Sequence, residues 1–309
     1  MWADPALWAA GILFSQSTRK LVGLRDDTQP AASVETSMTV REPIKNFYAG
    51  HYDASYHKRY LSPFWTRRYT HRAIHAQFLP YLQAGQQVLD VGCGEAVLSS
   101  LAAEQGARMT ACDISSPNLR GARRVTAQRY ASVTLLQADA EQLPFGDSSF
   151  DVVLSSHVLE HLPGVRQGLA ELYRVTRNCA LIAMPTCLNP AAWMLLGGAN
   201  YYQLGRRSLL ALPLGLARTL KALLTCQEGV DEGYGGAEVP HVWRFPWVVR
   251  RLVEETGFHL EQFEAGPLVL PLVGEYWPAW RRLQPSIDRL RSRPLVNNLG
   301  FGCLAVCRK

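Results

Sequence analysis

Between residues 86 and 186 short β-branched runs alternate with helical stretches, and this alternation admits few folds. Strands separated by helices read as βαβ units, which are built on a parallel sheet. The runs at 87–91, 108–113, 133–138, 150–155 and 180–184 supply five strands, with helices expected near 95–105, 117–129 and 165–176. PWVVRRLVEETGF at 246–258 reads as a further helix, followed by a strand near 259–264 and a last strand at 301–307. The expected fold is therefore α/β: a Rossmann-like, doubly wound sheet of seven strands.

Two segments exceed ordinary connections, 187–240 and 267–298, and are expected to carry structure of their own as lids over a substrate. Ahead of the sheet, residues 45–82 are rich in Tyr, His and Arg, and Pro63 is expected to separate two helices there. Phe47, Tyr48, Tyr52, Tyr56, Tyr60, Phe64 and Trp65 recur at helical spacing, as a face packed on the sheet or as a cap on a pocket. The polar stretch 26–37 reads as a linker, which divides the chain into an extension, 1–37, and a main domain, 38–309; Met38 is a candidate start. The apolar run from Ala6 to Phe14 follows Asp4 instead of positive charge, unlike a signal peptide, and no run is long enough for a transmembrane helix. With 48% hydrophobic and 19% charged residues the chain is expected to fold, and a net charge of +6 tolerates an anionic partner without demanding nucleic acid. Seven cysteines without a CxxC pair suggest neither disulfides nor a zinc site, so reduced thiols in a cytoplasm, and no metal, are expected.

The sharpest local signal is VLDVGCGEAVLSSLAAEQG, residues 88–106, where a strand ending in Asp90 turns through Gly92 and Gly94 into a helix. A turn of this kind brings the backbone close to a nucleotide. The next strand ends in Asp113, 19 residues after Gly94, where a carboxylate can accept from ribose hydroxyls. Two cofactors compete, a nicotinamide dinucleotide and S-adenosylmethionine. A dinucleotide fingerprint needs Gly or Ala where this chain has Val97, and Asp90 before the first glycine also argues against it.

The stretch from Asp90 to Ala96 resembles the first motif of class I S-adenosylmethionine-dependent methyltransferases. QADAEQLPFGDSSFDVVLSSHVLEHL (137–162) is similar to the central block of the type 11 methyltransferase family, which includes enzymes of ubiquinone and menaquinone biosynthesis. HVWRFPWVVRRLVEETGF (241–258) resembles that family's common ending. The resemblance covers roughly 45–186 and 240–309, and departs from the family at Ala96, where a third glycine is common; weaker packing is the worst expected cost. It implies that Asp90 orders the turn near the methionine part of S-adenosylmethionine, and that Gly92, Cys93 and Gly94 offer backbone to the cofactor. Asp113 would hold the ribose, Ile114 would pack beside adenine, Asp139 and Ala140 would sit at the adenine edge, and Ser156 with His157 would face the methionine end. Asp139 also fits a turn or helix-cap carboxylate.

Methyl transfer from a sulfonium is an in-line displacement, so positioning supplies much of the rate. A hydroxyl acceptor also needs a base, for which His157 is the first candidate, His161 the second and His241 a third. If the VLEHL stretch is helical, His157 and His161 share one face. Residues 206–225 read as a helix interrupted or bent at Pro213, with Arg207, Arg218, Lys221 and Thr225 on one stripe and Leu209, Leu212, Leu216, Leu220 and Leu223 opposite. The leucines either pack on their own domain or meet a lipid surface. Trp277 and Trp280, followed by Arg281, Arg282, Arg289, Arg291 and Arg293, offer a second aromatic and basic edge. The chain thus reads as a methyltransferase for a small-molecule or lipid-like acceptor, with a cofactor-binding but catalytically silent partner subunit as the alternative. A nucleic-acid substrate is disfavoured, since neither an N/D-P-P-Y/F motif nor a Pro-Cys pair occurs.

Overall fold

The central strands are apolar at successive positions, so each requires cover on both faces. The computed structural model describes residues 33–54, 56–232 and 239–309. In it β1 (Gln87–Val91), β2 (Arg108–Asp113), β3 (Val133–Gln137), β4 (Phe150–Ser156) and β5 (Thr176–Met184) run parallel. β8 (His259–Ala265) forms one edge, and β9 (Cys303–Arg308) lies antiparallel between it and β5. The seven-stranded order is β3-β2-β1-β4-β5-β9-β8. Val88, Val152, Leu154 and Leu181 face one core, while Leu89, Val91, Val153 and Ile182 face the other.

Ten helices surround the strands among the described residues: α1 (Ser33–Gly50), α2 (Trp65–Phe78), α3 (Val97–Glu104), α4 (Ser116–Gln128), α5 (Val165–Val175), α6 (Pro190–Leu196), α7 (Ser208–Leu224), α8 (Pro246–Glu255), α9 (Val273–Tyr276) and α10 (Pro278–Asp288). The compact unit around the sheet runs from Glu42 to Lys309. Strand order reverses between β1 and β4, and ligands of doubly wound sheets bind outside the carboxyl ends of the strands at such a point.

Several expectations are corrected. Residues 33–37 of the expected linker are helical, the first turns of α1; residues 26–32 and the run from Ala6 to Phe14 lie outside the described residues. The front aromatics do not form one helical face, because α1 stops at Gly50 and a π-turn, Tyr56–Tyr60, precedes α2, with Pro63 in the turn between. A ribbon absent from the sequence reading pairs β6 (Gly229–Asp231) with β7 (Val242–Arg244).

The helix α7 is uninterrupted across Pro213, and its buried face is neither of the expected stripes. It buries Ser208, Ala211, Gly215, Thr219 and Ala222. Leu209 (85% exposed), Leu210, Leu214, Leu220, Leu223 and Leu224 (83%) face outward. Backbone proximity explains this: a Cβ on Gly215 would lie 1.9 Å from Trp193 O, and one on Gly197 would lie 1.9 Å from Ala211 O, so only small residues fit where α6 and α7 cross. Arg218 leaves the basic stripe as well, donating to the carbonyls of Leu196 and Asp231. No helix among the described residues is long and apolar enough to cross a membrane.

Candidate active site

At the carboxyl end of β1 the chain folds back on itself. Gly92 N and Cys93 N donate to Cys112 O at 2.8 and 2.9 Å, and Gly92 and Gly94 adopt φ of +72° and +55°. A Cβ on Gly92 would lie 2.3 Å from the Val158 side chain, so glycine is required for space as well as for φ. Ala96 is also left-handed (φ 54°, ψ 35°) and fully buried. The expected cost at this position was packing; the cost is instead a backbone conformation disfavoured for L-residues by about 1–2 kcal/mol.

Beneath the turn, Asp90 is 2% exposed and accepts from Ser99 Oγ. Burial lifts its carboxyl to about 6. Asp113, at the end of β2, accepts from Gly94 N and Ser115 N, both at 2.8 Å, which fixes the carboxylate while leaving acceptor capacity for hydroxyls. Its carboxyl is also raised by burial. Burial pushes the Cys93 thiol up, so it is no thiolate nucleophile. After β3, Asp139 accepts from Glu141 N at 2.9 Å and pairs with Lys45 Nζ at 2.6 Å, so it is a turn carboxylate at the cavity wall, held by a residue of α1.

The other half of the site follows β4. His157 adopts φ +58°, a strained conformation for a non-glycine residue, and its N–H donates to Ala183 O at 3.0 Å. A single 3-10 turn, Leu159–His161, comes next, so the expected common helical face of His157 and His161 does not form. Both nevertheless reach the same cavity. His157 Nδ1 lies 3.2 Å from Glu160 Oε1, and Tyr48 OH lies 2.8 Å from His161 Nδ1. The β6–β7 ribbon brings in His241, stacked on His161 at 4.6 Å, with Nδ1 2.8 Å from Glu232 Oε2. Burial lowers His161 to about 4, which makes it a neutral imidazole near pH 7. Burial alone would raise the Glu160 carboxyl; the contact with His157 and the charges of the surrounding His157, His161 and His241 together bring it down.

The front segment is strapped over the glycine turn. Tyr52 OH and Tyr56 N donate to the buried Glu95 at 2.7 and 2.6 Å, and Asp53 N donates to Asn118 Oδ1 at 2.9 Å. Behind it, α2 presents His71 and His75 to the cavity, both lowered by desolvation, His75 to about 3.

All eleven site residues singled out from the sequence, from Asp90 to His161, line one cavity of about 400 Å³. So do Lys45, Arg59, Arg67, His71, His75 and Glu160, which the sequence reading did not assign. The i, i+4 pair His71 and His75 was the one available signal for that group, since both fall on one helix face.

The sheet order β3-β2-β1-β4-β5-β9-β8, with β9 antiparallel between β5 and β8, is the class I S-adenosylmethionine-dependent methyltransferase fold. Residues 89–184 match the family model described as "Methyltransferase domain". The chain is similar to malonyl-[acyl-carrier protein] O-methyltransferase of Serratia marcescens, 39% identical over 136 residues, or 44% of this chain and 51% of that protein. It is also similar to demethylmenaquinone methyltransferase of Thermobifida fusca, 41% identical over 95 residues, or 30% and 40% of the two chains. The matched stretch therefore spans about half or less of these relatives' own length. A solved S-adenosylmethionine-dependent methyltransferase from Mesorhizobium loti shares the fold, with TM-score 0.51 and 19% identity over 77% of this chain and 96% of that one.

S-adenosylmethionine is the cofactor of this domain family, and the residues present fit it. The positive-φ turn lies at the β1 end, and the Asp113 carboxylate, fixed by two backbone N–H groups, lines the same cavity with acceptor capacity to spare.

Proposed function

We propose that the chain transfers the methyl group of S-adenosylmethionine to an oxygen or carbon of a small-molecule or lipid-like acceptor. The observation that carries this reading is the single cavity that joins the glycine turn and Asp113 to the wall of His157, His161 and Tyr48. When bound, S-adenosylmethionine supplies an electrophilic methyl group on a sulfonium. Asp113 accepts from the ribose hydroxyls, Gly92 to Gly94 lie along the methionine part, and Ile114, Asp139 and Ala140 border adenine. Ser156 and His157 face the methionine end. His157 takes the proton of a hydroxyl acceptor, with Glu160 orienting its ring and stabilising the imidazolium through Nδ1. His161, held neutral by burial, is the weaker base and serves as a polar wall.

The relatives methylate malonyl-[acyl-carrier protein] and demethylmenaquinone, so a carboxylate on a carrier, a quinol and a phenol are the acceptors to screen first. With the accepted substrate, His157→Ala should lower turnover by about 10²–10⁴-fold while S-adenosylhomocysteine affinity changes little. An unchanged rate removes His157 from the chemistry.

The outward leucines of α7 support peripheral contact with an anionic membrane. Arg206, Arg207 and Lys221 are exposed beside them, and no acidic residue occurs from 197 to 227. Neighbouring Trp277 is 70% exposed, and Tyr276 OH accepts from Leu204 N at 3.1 Å, joining this edge to the approach to α7. All seven cysteines are free thiols, in keeping with a cytoplasmic location.

A further inference from the structure

Glu160 is 1% exposed, yet among the described residues neither carboxylate oxygen has a hydrogen-bond partner of good geometry; its contact with His157 Nδ1 is at 3.2 Å. A carboxyl group so far from water, with neither oxygen satisfied, needs a partner close by. Beside it stand His161 and His241, from two segments far apart in sequence, and one ligand atom from each of the three residues lies within 4.8 Å of the other two. All three line the cavity.

We propose that Glu160, His161 and His241 form a binding site for a divalent transition-metal ion of the Zn²⁺ class, with an open position toward the cavity for an oxygen of the methyl acceptor. Two imidazoles and one carboxylate are a donor set that suits Zn²⁺ better than Mg²⁺ or Ca²⁺, which take oxygen ligands, and three protein ligands leave a fourth position for water or substrate. The surroundings match what such ligands need. Tyr48 OH lies 2.8 Å from His161 Nδ1, and Glu232 Oε2 lies 2.8 Å from His241 Nδ1; outer partners of this kind orient the ring of a ligating histidine. The cysteine spacing carried no trace of this site, because its donors are histidines and a glutamate brought together by the 3-10 turn and the ribbon.

The ion's role toward the acceptor rests on the methyl-transfer reading; its binding does not. The full chain, stripped with a chelator, is titrated with Zn²⁺ by calorimetry and with Co²⁺ by visible absorption, and S-adenosylhomocysteine affinity is measured on the same samples. The expected result is one ion per chain, with Glu160→Gln and His241→Gln each weakening Zn²⁺ by more than about tenfold and Glu232→Gln weakening it less, while S-adenosylhomocysteine affinity reports that each variant is folded. A chain that binds S-adenosylhomocysteine but not Zn²⁺, or whose Zn²⁺ and Co²⁺ binding survives both ligand substitutions, overturns the proposal. Zn²⁺ binding lost in variants that keep the parent's circular dichroism, from a chain that never binds S-adenosylhomocysteine, sustains the metal site and removes the methyl-transfer reading.

Discussion

Asp90 and His157 show how the site depends on residues held in costly states. Asp90 sits under the glycine turn with its carboxyl raised from 3.8 to about 6 by burial. Below its unfolded value both states are protonated and it has no effect. As pH rises toward about 6 the unfolded chain loses its proton first, so folding stability falls, and the penalty persists above that range. The gap corresponds to roughly 3 kcal/mol as an upper bound. Asp90→Asn keeps an acceptor for Ser99 and should flatten the stability profile by up to that amount. Urea midpoints of both proteins at about pH 4.5 and about pH 7.5 test this; equal losses in the two would show that burial does not raise the Asp90 carboxyl in the folded chain. The position of Asp90 was readable from the sequence, as were Asp113 and the two glycines, because strand ends and turn residues are local. The left-handed backbone of His157 and its contact with Glu160 were not, since they follow from how β4 meets the 3-10 turn.

At the scale of elements, legibility tracked locality in the same way. The strands of the parallel core fell within a few residues of their expected limits because burial on both faces writes a continuous apolar run. The α7 helix shows the opposite: its leucines were the strongest apolar signal, but its packed face consists of Ser208, Ala211, Gly215, Thr219 and Ala222, chosen for closeness to α6. Apolar periodicity identifies a face that wants cover, and does not say which neighbour supplies it. The β6–β7 ribbon was missed because three-residue strands leave almost no pattern, yet it carries His241 to the site. If the leucine face meets lipid, Leu209→Gln with Leu224→Gln should reduce sedimentation with anionic vesicles several-fold while changing stability by no more than about 0.5 kcal/mol per site. Undiminished sedimentation would detach this helix from the membrane reading.

In the whole molecule, the sheet places the ends of β1, β2 and β4 side by side, and the additions to the sheet close the space above them. The front segment is pinned by Glu95, Ser115 and Asn118 over the glycine turn, and the ribbon is pinned by the bond of Arg244 N to Pro185 O beside β5. The glycine turn, Asp113, His157 and His161 stand at the strand ends, and the additions complete the imidazole-rich wall with His71, His75 and His241. The glycine turn was legible as a motif. The wall was legible only as a collection of histidines and tyrosines, because their convergence is a property of the tertiary structure. The central claim is that the strand-end half binds S-adenosylmethionine, and the most direct measurement is calorimetric titration of the chain and of Asp113→Ala with S-adenosylhomocysteine and, separately, NADH. The account predicts saturable binding of S-adenosylhomocysteine alone, weakened by about 10–100-fold in Asp113→Ala through loss of charge-assisted hydrogen bonds to the ribose. A well-folded chain that binds NADH instead, or binds neither, or binds S-adenosylhomocysteine equally well without the Asp113 carboxylate, would contradict it.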